Sequence, residues 1–489
     1  MTHHSTERIV PSGAMLIGDR WVGDSSLGRP SHINPATGKV LGSFALAGPR
    51  EIDEAVRAAR AAFGEWRGMV ARDRRRILQR IAQLLEERVE EHNTLRAHEA
   101  GVPFKVPPDR RWLAAEYFHY YSGWVDKLRG ESPPAYSAPS LDYTIPEPYG
   151  VVAVIVPWNA PVMSAAMKAA PALAAGNCVV LKPSDLGPFT PQLFGQLCLD
   201  AGLPPGVLNV LPGGQAAGEA LVSHPGVDKI SFTGGGATAT AVMSAAARNL
   251  TPVTLELGGK SANIVFPDAD LDAAAAMACQ TGIVNVAGQG CNLPTRLLVH
   301  DTVYDDVVER VVSRAGALKI GLPFDPSTQM GPVISESACL RILAVIAQAV
   351  AEKSGKLLIG GRRLSEDLAD GFFIAPTVFG EVDNASRLAQ EEVFGPVLSI
   401  LRFRDEDEAL ALANGTRYGL AGYVWTSDVK RAHRVAAALD AGWIGVNGFP
   451  PMPPNAPFGG VKQSGFGREG GAEGIFEFVR VKNVHVDLN

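Results

Sequence analysis

Thirty-five positions separate Glu256, within Thr254-Leu-Glu-Leu-Gly-Gly-Lys260, from Cys291, within the glycine-rich Gly288-Gln-Gly-Cys291. A cysteine nucleophile and a carboxylate able to activate water are the two groups needed to form a thioester and then hydrolyse it. Cys291 is one of five cysteines, and an unassigned cysteine is ordinarily a small buried hydrophobe. Cys178 lies in a strand-like apolar run, Cys198 and Cys279 in apolar helical patterns, and Cys339 in a helical stretch without catalytic neighbours. Only Cys291 is framed by glycines and polar groups, which allow close approach of a substrate and donation from the backbone. Glu256, between Leu255 and Leu257, is either a surface-facing position of an alternating strand or a carboxylate held out of water for a purpose. Asn159, in Val156-Pro-Trp-Asn-Ala-Pro161, either caps the helix that follows or offers its amide to an oxyanion. Gly234-Gly-Gly236-Ala-Thr-Ala239 fits GxGxxA at a strand-to-helix junction, where backbone N–H groups and the helix dipole favour phosphate; it fits a plain tight turn as well.

The elements that must position these residues follow from periodicity. Residues 51–63 and 74–89 carry apolar residues at helical spacing and read as amphipathic covers over a sheet. From residue 151 short apolar runs alternate with helical patterns: strands at 151–156, 178–181, 207–211, 229–232 and 253–257, helices at 163–175, 191–201, 215–223 and 237–247. Such alternation is the signature of a doubly wound α/β domain with a parallel, Rossmann-like sheet, the usual host of a dinucleotide. A second alternation, with helices at 270–281, 303–318 and 430–439 and strands at 356–359, 397–403, 422–425 and 443–447, predicts a second α/β domain. Residues 128–149 are proline-rich, with Leu141, Tyr143 and Ile145 in alternation, and predict an exposed β arm; the tail at 475–486 predicts an edge strand that pairs with the arm or with another subunit. The expected division is residues 1–129 with 150–258 as the dinucleotide-binding domain, 259–470 as the catalytic domain, and 130–149 with 471–489 as an oligomerisation arm.

Composition narrows the partners. The chain has 489 residues, 46% hydrophobic and 20% charged, with a net charge of −6 and no basic run longer than Arg74-Arg75-Arg76. These values predict a large soluble protein acting on a small molecule rather than on nucleic acid. Neither the polar stretch 1–12, with His3-His4, nor any later run approaches the roughly 18 apolar residues of a membrane span. Widely spaced cysteines in odd number fit a reducing, cytoplasmic setting, and no CxxC pair points to a metal.

Taken together the motifs resemble the aldehyde dehydrogenase superfamily over residues 16–484. They are Asn34-Pro-Ala-Thr-Gly38, Pro157-Trp-Asn159, Lys182-Pro-Ser184, Phe232-Thr-Gly234, Leu255-Glu-Leu-Gly-Gly-Lys260, Gly288-Gln289 with Cys291, Glu391-Glu-Val-Phe-Gly-Pro396, and Pro457-Phe-Gly-Gly460 with Ser464-Gly465. The resemblance implies oxidation of an aldehyde to the acid with NAD: Cys291 is the nucleophile, Glu256 the general base, Asn159 with the Cys291 backbone N–H the oxyanion hole, and Lys168 a member of the proton-relay path. It implies that Lys182 and Asp185 contact the adenosine ribose, Glu392 the nicotinamide ribose, and Phe394 the nicotinamide face. Further cofactor contacts are implied for Val156, Pro157, Trp158, Ser184 and Gly214, and for Phe232, Thr233, Gly234, Gly235 and Leu257. The matching aldehyde-tunnel positions are Ala160, Met167, Gly290, Asn292, Met452 and Phe458; none is arginine, which favours neutral or aromatic aldehydes.

Three departures bear on this. Gly235 and Ala239 stand where the family commonly has serine and glycine, so one phosphate-binding hydroxyl is missing while the backbone N–H groups remain. Asp185 stands where many NAD-preferring relatives have glutamate; its charge still repels a 2′-phosphate, so NAD is expected and NADP is the alternative. The interval from Glu256 to Cys291 is one residue longer than the family's, which places a small insertion before Gln289. Competing readings are a coenzyme A-acylating semialdehyde dehydrogenase, disfavoured by the presence of Glu256, and a catalytically silent NAD-binding homologue. The arm implies a homodimer or homotetramer.

Overall fold

The computed structural model describes residues 10–104 and 113–488. The opening residues 1–9, His3-His4 among them, lie outside the described residues, as do 105–112 and 489.

Val151–Val156 is apolar at every position, so it must be covered on both faces, and it is buried throughout. It lies inside an eight-stranded sheet of order Arg20–Val22, Met15–Ile17, Leu208–Val210, Cys178–Pro183, Val151–Val156, Lys229–Gly234, Val253–Leu257, Gly465–Phe466. The five strands from Leu208–Val210 to Val253–Leu257 are parallel, as the doubly wound pattern predicts. Short antiparallel strands close both edges. From Val151–Val156 the chain winds first through Cys178–Pro183 and Leu208–Val210, then returns to the other side through Lys229–Gly234 and Val253–Leu257. Strand order therefore reverses between Val151–Val156 and Lys229–Gly234, and a crevice forms at the carboxyl ends of such a pair. Pro157, Trp158 and Asn159 leave one of those ends, and Thr233, Gly234 and Gly235 the other.

The second sheet has seven strands, in the order Lys356–Ile359, Thr377–Gly380, Val397–Phe403, Arg296–His300, Ala262–Val265, Ala421–Trp425, Trp443–Val446. All are parallel except Lys356–Ile359. Apolar alternation marks four of the seven. The three it passes over, Ala262–Val265, Arg296–His300 and Thr377–Gly380, are strands buried at every position but His300, and they carry Asn263, Arg296 and Thr377, polar residues that interrupt the apolar signal. The tail differs from expectation at its start: Gly471–Phe476 is a short helix anchored by the fully buried Ile475, and the strand begins at Val479. Val479–Asp487 then pairs antiparallel with Ser140–Pro148 along the whole length of both strands. Among the described residues no helix is long and apolar enough to cross a membrane.

Arg296 explains how a cation can sit inside a sheet. It is 1% exposed, and its guanidinium donates to the carbonyls of Lys260 (2.9 Å), Leu412 (2.8 Å) and Ala413 (2.8 Å) and to Asn384 Oδ1 (2.8 Å). Four acceptors around one rigid fork satisfy the charge. The same contacts tie the strand that follows the Cys291 loop to the segment after Glu256. Arg296→Met is expected to leave those acceptors unsatisfied and to cost about 3 kcal/mol, read as a lower urea midpoint; an unchanged midpoint would refute this anchoring role.

Candidate active site

Glu256 is the fourth residue of Val253–Leu257 and is 3% exposed, with Leu255 and Leu257 buried beside it. Both faces of the strand are covered, so the carboxylate is not a surface position of an alternating pattern. Neither oxygen makes a hydrogen bond of normal geometry. Gly459 leaves it room, since a Cβ there would come within 2.7 Å of Oε1. Burial pushes the Glu256 carboxyl up to about 8, against the opposing pull of Lys168 and Arg468 and a weak contribution from the Gly460 N–H.

Cys291 reaches the same place from the segment that leads into the seven-stranded sheet. After helix Leu271–Cys279 the chain widens into a π turn at Gln280–Val284, and then Val286 (φ 50°), Ala287 (φ 50°) and Gly288 (φ 72°) follow in the left-handed region. An extra residue is commonly absorbed as a π bulge, often at functional sites, which fits the longer interval read from the sequence. A β-branched residue at positive φ is a strained one. Gly288 is required, because a Cβ there would overlap the Gly395 carbonyl. Gln289 then locks the loop: its Nε2 donates to Val286 O (2.7 Å), its Oε1 accepts from Ile334 N (3.0 Å), and its carbonyl accepts from Asn159 Nδ2 (2.9 Å). The Asn159 side chain thus turns to the cysteine loop. It does not cap helix Pro161–Ala175, which has no side-chain cap.

Cys291 is the one partly accessible cysteine; the other four are buried. Burial, reinforced by Glu392 and Glu256, pushes its thiol up to about 12, while the backbone N–H groups of Cys291 and Asn292 favour the anion. Cys291, Glu256 and Asn159 line a single cavity of about 270 Å³. The six tunnel positions Ala160, Met167, Gly290, Asn292, Met452 and Phe458 line it too, as do Pro157 and Thr233 from the cofactor set. Lys168 stands apart from the lining, fully buried in an ion pair with Glu469, which itself faces the cavity. Burial lowers Lys168 to about 8, opposed by the charges of Glu256, Cys291 and Glu477.

The cofactor positions gather along the crevice. Lys182 Nζ contacts the carbonyls of Gly213 and Pro183, and a Cβ on Gly214 would lie 3.3 Å from Asp185 Oδ2, so these residues form one cluster. Ser184 Oγ is turned to Asp185 Oδ1 (3.3 Å). Helix Gly236–Ala246 starts after Gly235 with no side-chain cap, so its first-turn N–H groups have no intrachain side-chain acceptor at the cap, and the space beside Gly235 and Gly236 is open. Glu392 accepts from Gly259 N (3.3 Å), and any Cβ on Gly258 would overlap its carboxylate; burial pushes it up to about 7. Phe394, at φ 52°, meets Trp158 edge to face with centroids 5.7 Å apart. Uncapped N–H groups, carboxylates at Asp185 and Glu392 and an aromatic wall are the kinds of group that suit a dinucleotide.

Sequence reasoning overlooked Glu469, Gln289 as the organiser of the loop, and Arg96. Glu469 lies in an irregular segment bridged to Phe458, where periodicity carries no signal. Arg96 lines the cavity from helix Val89–Ala100 and donates to the Asn159 carbonyl (3.1 Å), a contact between residues far apart in the chain.

A model of the aldehyde dehydrogenase family matches residues 21–484. Human retinal dehydrogenase 2 is 42% identical, the match covering 97% of this chain and 92% of the relative. Among solved structures, an aldehyde dehydrogenase from Bacillus cereus in complex with NAD+ superimposes with a TM-score of 0.95 at 38% identity over 100% of this chain and 99% of its own. Betaine aldehyde dehydrogenase from Staphylococcus aureus, also with NAD+, does so with a TM-score of 0.95 at 36% identity over 100% and 97%. Sequence match, fold and the placement of motifs along one crevice agree, and the chain belongs to the aldehyde dehydrogenase family.

Proposed function

We propose that this aldehyde dehydrogenase oxidises its substrate to the carboxylic acid with NAD+ through an adduct on Cys291, which water activated by Glu256 then releases. The observation that carries this reading is the opening of Cys291, Glu256 and Asn159 onto one cavity. Lys182 and Asp185 would hold the adenosine ribose, the N–H groups after Gly235 the pyrophosphate, Glu392 the second ribose, and Phe394 with Trp158 the nicotinamide end. When bound, the dinucleotide supplies the acceptor for the hydride. NAD+ is preferred to NADP+ because the Asp185 carboxylate repels a 2′-phosphate, and the Bacillus and Staphylococcus neighbours were solved with NAD+.

Cys291 starts as a thiol, so its proton must leave as sulfur bonds to the carbonyl carbon; Glu256, whose charge is felt at the sulfur, is the group to take it. The carbonyl oxygen becomes an alkoxide. One N–H of the Asn159 amide is held by the Gln289 carbonyl, and the amide has a second to give the alkoxide together with the Cys291 backbone N–H. Departure of hydride from the carbon leaves a thioester on Cys291. Glu256, relieved of its first proton through Lys168 and Glu469, takes another from water; the hydroxide adds to the acyl carbon, the C–S bond breaks, and sulfur leaves as thiolate. A buried carboxylate poised as base favours water over coenzyme A as the acyl acceptor.

We further infer a cytoplasmic homodimer or homotetramer, with the dinucleotide domain at 1–129 and 150–258, the catalytic domain at 259–470 and the arm at 130–149 and 471–489. Leu141, Tyr143, Ile145, Val481 and Val486 are exposed on the arm, an apolar surface suited to another subunit.

Cys291→Ala is expected to abolish NADH formation with every aldehyde oxidised by the parent. Glu256→Gln should slow both the appearance of the first NADH per site and the steady rate, each by about 10²-fold or more; a first turnover at the parental rate would remove Glu256 from the thiol step, and a steady rate at the parental value would remove it from the hydrolytic step. Because Glu256 must be ionised to accept a proton, kcat should rise with pH through about 8 and level off above it, and a flat profile from pH 6 to 9 would count against its role as base. The same shift affects stability. With a folded value of about 8 against an ordinary 4.5, the unfolded chain ionises first, so the carboxyl weakens the fold progressively across that interval. Glu256→Gln should therefore gain Tm over the parent increasingly as pH is raised through that range.

A further inference from the structure

Helix Val89–Ala100 turns an unexpected face to the cavity. Val89, His92, Asn93 and Arg96, at the i, i+3, i+4 and i+7 spacing of one helical face, all line it. A helix face turned inward is ordinarily apolar, yet only Val89 is; Asn93 is buried and the other three are half-buried. Asn93 is 7% exposed and its Nδ2 has no hydrogen-bond partner; Arg96 Nε and His92 Nε2 are buried without one as well. Among the described residues the Arg96 guanidinium makes one hydrogen bond, from Nη2 to the Asn159 carbonyl, and no ion pair.

The neighbouring charges are otherwise engaged. Arg88 on the same wall is paired with Glu91 and Asp200. Glu99, within Coulombic reach of Arg96, accepts from the Phe189 and Thr190 N–H groups and from Thr190 Oγ. Burial and the nearby guanidinium push His92 down to about 4, so it is neutral at neutral pH. Arg96 is therefore a cation with little compensation, beside two unfilled nitrogens, in a cavity with a largely apolar remainder. A half-buried guanidinium with one hydrogen bond and a buried Nε leaves donors unfilled at a cost, and an anion that occupies them offsets that cost.

Resting on the aldehyde-oxidising reading above, we propose that this wall is a carboxylate subsite: the preferred substrates are aldehydes that carry a carboxylate, gripped by Arg96 and Asn93 while the carbonyl carbon faces Cys291. The guanidinium fork matches a carboxylate in two-point geometry, and the Asn93 amide adds a neutral donor. The six tunnel positions that favoured neutral aldehydes contain no arginine because the cation comes from a helix outside them.

The test compares matched substrates in the full-length enzyme: para-carboxybenzaldehyde against para-methylbenzaldehyde, and succinic semialdehyde against butanal. The parent should favour the carboxylate member of each pair in kcat/KM by at least about tenfold. In Arg96→Met this ratio should fall by about 10²-fold, mostly through KM of the carboxylate substrates, and Arg96→Lys should recover part of it. Arg96 also touches Asn159, so Asn93→Leu, which does not, provides the second variant and should lower the ratio several-fold. Calorimetry of benzoate and succinate with the Cys291→Ala protein reads the subsite without turnover, and binding should be lost on adding Arg96→Met. Parental preference for the neutral partners, a ratio unmoved by Arg96→Met, or no carboxylate binding to Cys291→Ala would overturn the subsite while leaving aldehyde oxidation standing. Arg96-dependent carboxylate binding in a protein that oxidises no aldehyde would instead sustain the subsite and overturn the proposed function.

Discussion

Exclusion of water from around Glu256 is the constraint on which the rest of the site depends. A carboxylate at the end of a buried strand, without hydrogen bonds of normal geometry, is held near neutrality by desolvation, and the lift to about 8 makes it a stronger base than a free carboxylate. That requires a carboxylate-sized gap, which the absence of a Cβ at Gly459 provides, and strands on both sides, which Lys229–Gly234 and Gly465–Phe466 supply. The cost in stability is local and is tolerated in a chain with two large apolar cores.

The same dryness couples the other ionisable groups. Cys291, Glu392 and Glu256 are all raised by burial, and Lys168 is lowered. A resting thiol is protected from ionisation until a substrate and a base are in place, while a lysine and a carboxylate shifted towards each other can exchange protons over small energy differences. Arg96 belongs to this electrostatic set through its hydrogen bond to the Asn159 carbonyl. It links the wall of the cavity to the amide proposed to hold the alkoxide.

Much of the architecture was legible because doubly wound sheets leave a strong pattern. Val151–Val156 and residues 178–181 are unbroken apolar runs, and the one helix between them, Pro161–Ala175, is apolar and buried at almost every position. The second sheet was harder to read. Arg296, satisfied by distant carbonyls, and Asn263 lie in central strands, and a polar residue in such a run looks in the sequence like a break in the strand. Phe476 looked like part of an edge strand, whereas Ile475 packs into the core and draws residues 471–476 into a helical turn.

Cys291, Glu256 and Asn159 could be singled out from the chain because their neighbours are unusual for their type: glycines around a thiol, leucines around a carboxylate, prolines around an amide. Motif and local chemistry are written in consecutive residues, so the sequence by itself determined the family, the two α/β patterns and the candidate nucleophile and base. Tertiary structure alone decided that Asn159 turns to Gln289 rather than to its own helix, that Glu469 meets Lys168, and that Arg96 faces the cavity with no carboxylate partner among the described residues. Those facts depend on which side chains share a dry space, and desolvation and pairing are properties of surroundings assembled from segments hundreds of residues apart.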